Sequence, residues 1–456
     1  MSFRHDFVWG AAAASYQIEG ATRADGRGAC VWDMFSAQPG KIWEKQDATV
    51  ACDHYYRFPE DIALMKEIGL KAYRLSVSWP RILPQGTGPS NQAGLDFYDR
   101  LIDALLAAGI EPWVTLFHWD FPHALYLRGG WLNPDSPRWF QDYVRLVVDK
   151  LSDRVAHWFT FNEPQCFIGI GLREGRHAPG DRLGWSEVLR ANHHTLLAHG
   201  LAVQTIRAYA RRKPVIGIAP VAGARVPATE KPEDIAAASR AMFTAEQPDV
   251  WDIALWSDPA LLGRYPEHAK PVYGADFPDF PADDLKTICQ PLDFYGFNIY
   301  NGRRVRAGVQ GAPVIVSDGV GNPRTSFQWS IVPESIYWAS RFFQERYRLP
   351  IIISENGLAN PDWRSLDGRV HDTQRCDYLV RHLAELRRAT RDGVDVRGYF
   401  HWSVMDNFEW AEGYKHRFGL IHVDYATQQR TLKDSAFLYR DIINANGANL
   451  PPSGRF

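Results

Sequence analysis

The segments H-W-F-T-F-N-E-P (157–164) and I-I-I-S-E-N-G (351–357) share one construction, a short β-prone apolar run that ends in a polar residue and a glutamate. Runs this short, dense in β-branched and aromatic residues, read as strands covered on both faces. Such strands belong to parallel sheets. Counting His157–Phe161 and Ile351–Ser354 with Phe7–Ala13, Ala72–Val77, Pro112–Leu116, Val215–Ala219, Leu292–Asn298 and Val396–Trp402 gives eight. Helical patterns separate them: Pro59–Ile68 with Gly69 as stop, Leu95–Ala108 with Gly109, Arg138–Leu151, Glu187–Ala210, Pro333–Arg346 and Thr373–Arg391. Eight buried strands joined by helical crossovers predict an α/β fold, a single (β/α)8 TIM barrel over residues 1–456 with inserted βα loops forming its mouth. An open doubly wound sheet is the alternative, but no G-x-G-x-x-G follows the first strand.

Composition narrows the function. With 51 basic and 53 acidic residues the net charge is −2, which gives no field to attract nucleic acid or an anionic membrane. The five cysteines, Cys30, Cys52, Cys166, Cys289 and Cys376, are odd in number and lack C-x-x-C spacing, so neither a disulfide framework nor a thiolate zinc site is expected. No signal-like apolar stretch opens the chain and no window is long and apolar enough to span a bilayer, so a soluble, cytoplasmic protein is expected. Aromatic residues make up 13% of the chain, as core packing or as platforms for the apolar faces of sugars.

Polar and aromatic residues cluster at the C-terminal ends of these strands: Gln17 and Glu19 after the first, Arg74 and Trp79 at the second, His118 and Trp119 after the third. Asn162 and Glu163, Asn298 and Tyr300, Glu355, and Trp402 continue the pattern at the fourth, sixth, seventh and eighth. Barrel enzymes build their sites at that face, so these residues are expected to converge. Strands four and seven lie across the barrel, which lets Glu163 and Glu355 face each other. Glycoside hydrolysis uses such a pair, one acid protonating the leaving oxygen and one carboxylate opposing the oxocarbenium-like carbon. A separation of about 5–5.5 Å gives retention and roughly 6.5–9.5 Å gives inversion, a choice the spacing in sequence leaves open. One glutamate at a strand end reads equally well as a salt-bridge partner, but the pair within this constellation does not. Glu163 as acid needs burial and a nearby negative charge, whereas Glu355 needs support as an anion from Arg74 and the Tyr300 hydroxyl. His193, His194 and His199 read as helix packing, Gly169–Gly171 as a loop, and no metal site is expected.

The segments F-V-W-G-A-A-A-A-S-Y-Q-I-E-G (7–20), A-C-D-H-Y-Y-R-F (51–58), L-K-A-Y-R-L-S-V-S-W-P-R-I (70–82), L-F-H-W-D-F-P (116–122) and T-F-N-E-P (160–164) resemble glycoside hydrolase family 1, the β-glucosidase family. The resemblance continues through I-I-I-S-E-N-G-L (351–358), G-Y-F-H-W-S-V-M-D-N-F-E-W (398–410) and R-F-G-L-I-H-V-D-Y (417–425). It implies a retaining double displacement with Glu163 as acid/base and Glu355 as nucleophile, and no cofactor. It further implies that Gln17, His118, Asn162, Glu409 and Trp410 bind the hydroxyls of the non-reducing sugar, with Trp402 as stacking floor. Trp119, Asn298, Tyr300 and Phe418 would line the same pocket, and Trp329 would carry the leaving group. The expected partner is a small β-glucoside or oligosaccharide, with β-galactosides or β-fucosides tolerated; a homo-oligomer is compatible with the sequence. Glu409 would repel a 6-phosphate, which favours an unphosphorylated sugar. A transglycosidase working through the same intermediate and a non-catalytic sugar-binding protein are the alternatives. The chain departs from the family pattern at His123, Gln165 and around Trp329 in T-S-F-Q-W-S-I-V-P-E-S (325–335), all on the leaving-group side.

Overall fold

The computed structural model describes residues 2–453; the remaining positions of the expected 1–456 unit lie outside the described residues. Eight parallel strands form one sheet: β1 (Val8–Ala12), β2 (Ala72–Ser76), β3 (Glu111–Phe117), β4 (His157–Asn162), β5 (Val215–Ala219), β6 (Tyr295–Asn298), β7 (Ile351–Asn356) and β8 (Val396–Trp402). Their spatial order is β5-β4-β3-β2-β1-β8-β7-β6. β5 and β6 meet across the remaining seam, where the Asp293 amide donates to Ile216 at 2.9 Å, the Asn298 amide to Pro220 at 3.0 Å and the Ala222 amide to Asn298 at 2.8 Å. The sheet is thus a nearly closed barrel, the expected TIM architecture.

The strands are buried almost throughout, which explains why they read as continuous apolar runs and not as alternating ones. The helices His54–Ile68, Gln92–Ala107, Ser136–Leu151, Trp185–Tyr209, Glu334–Tyr347 and Thr373–Arg391 follow β1, β2, β3, β4, β6 and β7. Two of the sequence boundaries fail for identifiable reasons. The helix expected to start at Pro59 starts at His54, because Pro59 is tolerated inside it at the expense of one main-chain hydrogen bond. The sixth strand, expected from Leu292, starts at Tyr295, because Asp293 turns outward to accept the Ile216 amide at 2.7 Å and Arg207 Nη2 at 2.6 Å. Gly169–Gly171, expected as a loop, lies within the π-helical segment Gln165–Glu174. Those glycines serve packing: a Cβ on Gly169 would stand 2.6 Å from Val250 Cβ, and one on Gly171 2.5 Å from the Ala178 carbonyl.

Candidate active site

Two irregularities in the ladder aim the carboxylates. The β4–β5 register shifts between Phe159 and Asn162, and the β7–β6 register shifts between Ile353 and Glu355. Bulges of this kind bend a strand end and redirect its side chains. Glu163 leaves β4 with φ 43°, and Trp119 (φ 78°) and Trp410 (φ 53°) share that left-handed region, which non-glycine residues seldom enter. Gly357 follows Glu355 and Asn356 where a Cβ would lie 1.8 Å from the Trp402 carbonyl oxygen, so only glycine lets the β7 and β8 ends approach this closely.

Glu355 is clamped as an anion. Arg74 Nη1 donates to its Oε1 at 2.6 Å and the Tyr300 hydroxyl to its Oε2 at 2.6 Å. Arg74 is itself fully buried, lies 4.8 Å over the Phe159 ring and donates through Nη2 to Asn162 Oδ1 at 2.6 Å. Among the described residues Glu163 has no cation in contact: Asn298 Nδ2 donates to Oε1 at 2.8 Å and the Cys166 thiol to Oε2 at 3.2 Å. Burial, then the charge of Glu355, push the Glu163 carboxyl up to about 8. Burial raises Glu355 as well, but Arg74 and Tyr300 oppose it. The proton of the pair therefore resides on Glu163 near neutral pH.

Around the carboxylates the polar groups hold one another in fixed orientations. Asn298 Nδ2 also donates to Asn162 Oδ1 at 3.0 Å, and the Ser354 hydroxyl donates to Asn298 Oδ1 at 2.7 Å. Asn162 Nδ2 lies 3.0 Å from His118 Nε2, and burial with the Arg74 charge keeps that imidazole neutral. His118 stacks against Trp402 at 5.6 Å and Trp410 at 5.9 Å, and Trp119 lies 4.4 Å from Trp410. Gln17 Nε2 donates to Asn407 Oδ1 at 2.9 Å and to the Phe408 carbonyl at 3.0 Å, and approaches Glu409 Oε2 at 3.4 Å. Gln17 Oε1 is buried with no partner among the described residues, an acceptor suited to a hydroxyl donor. Burial, then the neighbouring Glu355 and Glu163, raise the Glu409 carboxyl well above the ordinary range, and its oxygens accept from hydroxyls. Tyr300, Trp329 and Phe418 form an aromatic wall with ring centroids 5.4–6.4 Å apart.

The residues expected from the sequence thus fall into one connected cluster, with two exceptions among the strand-end set. Glu19 pairs with Arg81 at 2.9 Å and accepts from the Tyr98 hydroxyl at 2.6 Å, which makes it a buried structural anion. Trp79 is wholly buried and stacks on Tyr143 at 5.1 Å. His193 stacks on Phe280, His194 bonds the Trp131 carbonyl and His199 bonds Thr160, each as helix packing. Cys166, Ser354 and Asn407 were missed. Cys166 stands three residues after Glu163 at a helix start, which could have placed it beside the acid, but nothing local marks Ser354 or Asn407 as supports. Of the departures, Gln165 is buried and bonds both main-chain groups of Val221, at 3.1 and 3.3 Å, so it ties the β4 loop to the β5 loop.

A parallel barrel whose mouth holds one protonated and one clamped carboxyl amid hydroxyl-binding groups defines a glycoside-hydrolysing enzyme class. The family model for glycosyl hydrolase family 1 matches residues 1–448, and the chain belongs to that family. It is 45% identical to "Beta-glucosidase A" of Thermotoga maritima over 98% of both chains. Solved structures of a β-glucosidase from Thermotoga maritima are similarly related. The complex with deoxynojirimycin matches at 42% identity and a TM-score of 0.89 over 98% of this chain and 100% of that one. The complex with galacto-hydroximolactam matches at 43% and 0.90 over the same shares.

Proposed function

We propose that the protein is a β-glucosidase that hydrolyses terminal non-reducing β-D-glucosyl residues with retention. The observation that carries this reading is the asymmetric support of the two carboxyls, with Arg74 and Tyr300 on Glu355 and only neutral donors on Glu163. In the first step Glu355 attacks the anomeric carbon while Glu163 gives its proton to the leaving oxygen. Esterification then removes the negative charge from Glu355, which lowers the Glu163 pKa. Glu163 accordingly takes a proton from the incoming water as that water releases the sugar. Asn162, held by Arg74 and His118, serves the 2-hydroxyl, whose hydrogen bond strengthens in the transition state. Gln17 Oε1 and Glu409 serve the far side of the ring, and Trp402 supports its apolar face.

Galactosides differ from glucosides at one hydroxyl, and a pocket able to both accept and donate there through Gln17, His118 and Glu409 supports tolerance of both. The relative's complex with a galacto-configured compound agrees with this. The test is chemical rescue on activated aryl β-glucosides. Glu355→Ala should be almost inactive, with azide yielding the α-glycosyl azide, and Glu163→Ala with azide should yield the β-azide. The reversed stereochemistry would exchange the roles, and full activity in both variants would refute the reading.

A further inference from the structure

Ser354 precedes Glu355 on β7 and is wholly buried. In a regular strand successive side chains point to opposite faces, so the residue before the nucleophile would turn away from the site. The β7–β6 pairing departs from that rule here. Ile353 faces Phe297 and Glu355 faces Asn298, which leaves Ser354 as an extra residue between two adjacent pairs. A bulge of this kind re-aims the side chains around it. Both residues consequently reach the same cluster: the Ser354 hydroxyl donates to Asn298 Oδ1 at 2.7 Å, while the Glu355 carboxyl accepts from Arg74 Nη1 at 2.6 Å. The same Arg74 nitrogen lies 3.3 Å from the Ser354 carbonyl oxygen.

An asparagine amide presents an acceptor at one end and two donors at the other, and its surroundings decide which way it faces. Arg74 Nη2 donates to Asn162 Oδ1 at 2.6 Å, which turns that oxygen toward Asn298 as an acceptor. Asn298 Nδ2 gives one hydrogen to it at 3.0 Å and the other to Glu163 Oε1 at 2.8 Å. Its Oδ1 therefore faces Ser354, whose hydroxyl satisfies the oxygen of a side chain that is itself wholly buried. Donation into the oxygen of an amide also polarises it and strengthens the donors at its other end. Turned over, the amide would set Oδ1 against the oxygens of Asn162 and Glu163. Without the hydroxyl, Oδ1 is stranded in the interior and the amide loses the bond that fixes its direction toward Glu163.

We infer that Ser354 is a positioning residue for the acid: through Asn298 it holds the Glu163 carboxyl in line with the leaving oxygen, a role that rests on the proposed reading of Glu163 as the acid. The strand that carries the nucleophile thus also orients the group across from it. The test compares kcat/KM on phenyl β-glucoside, whose leaving oxygen needs a proton, with kcat/KM on dinitrophenyl β-glucoside, whose leaving oxygen departs without one. Ser354→Ala should lose about tenfold on the phenyl substrate and less than about twofold on the dinitrophenyl one, whose retained hydrolysis also reports correct folding. Because Ser354 acts through Asn298, adding Ser354→Ala to Asn298→Ala should change the ratio of the two rates by less than about twofold. Glu163→Ala separates the two readings. A loss there that is selective for the phenyl substrate upholds the acid, and an equal loss on both substrates refutes the acid and the role of Ser354 with it. With the acid upheld, three results would overturn the inference: an equal loss on both substrates in Ser354→Ala, no loss on either, or a further selective loss of about tenfold on the Asn298→Ala background.

Discussion

Replacing Tyr300 with phenylalanine isolates the device that keeps Glu355 ionised. The ring remains to pack against Trp329 at 5.4 Å and Phe418 at 5.9 Å, so what is lost is the 2.6 Å hydrogen bond to Oε2. A hydrogen bond to a charged group is worth about 1.5–3 kcal/mol, and one pKa unit corresponds to about 1.4 kcal/mol. The bond favours the carboxylate over the acid, so its removal raises the Glu355 pKa by about 1–2 units. Nucleophilic attack requires the carboxylate. The acidic limb of kcat/KM on an aryl β-glucoside should therefore move to higher pH by that amount, narrowing the bell from the acidic side alone. The alkaline limb reports loss of the Glu163 proton, near 8, and should hardly move, because Glu355 is already charged at that pH. The assay is a full pH profile at substrate concentrations well below KM. An unmoved acidic limb, or displacement of the alkaline limb by more than half of the acidic shift, would refute the division of labour between the two glutamates.

Two further predictions concern the surroundings. Cys166→Ala removes the thiol that donates to Glu163 Oε2 at 3.2 Å; because that donation favours the ionised acid, the alkaline limb should rise, by less than about one unit for so weak a donor. A fall, or no change in a profile precise to about a tenth of a unit, would remove Cys166 from the tuning of the acid. Beneath the loops after β7 and β8, the wholly buried Lys433 bridges Asp362 at 2.6 Å and Asp406 at 2.7 Å, beside Arg375 and Arg417. Lys433→Met leaves two buried carboxylates short of a cation and should cost about 3–5 kcal/mol of stability. It should appear as a lower thermal midpoint by calorimetry, and an unchanged midpoint would show that the two arginines suffice.

The barrel was legible because burial on both faces forces its strands into apolar runs, and because crossover helices carry their own period and glycine stops. The glutamates were legible for a related reason: T-F-N-E-P and I-I-I-S-E-N-G each break an apolar run at the same face of the sheet. Strand ends alone could not separate Glu19 from Glu163, since each follows a strand closely. Their fates diverge through partners distant in sequence: Arg81 pairs with Glu19 and the Tyr98 hydroxyl donates to it, while among the described residues no cation reaches Glu163. Ser354 and Asn407 were illegible because a second support is defined by what it touches, and small polar residues at strand ends are common everywhere.

The sequence by itself determined the strand count, the order of elements and the face on which the site forms, since periodicity and burial are local properties of a chain. Only the tertiary structure decided which carboxyl holds the proton. Arg74 on β2 and Tyr300 after β6 converge on Glu355, 281 and 55 residues away, and leave Glu163 to burial and to its neighbour's charge. Protonation depends on distances of a few ångströms between groups far apart in the chain, and only closure of the barrel sets those distances.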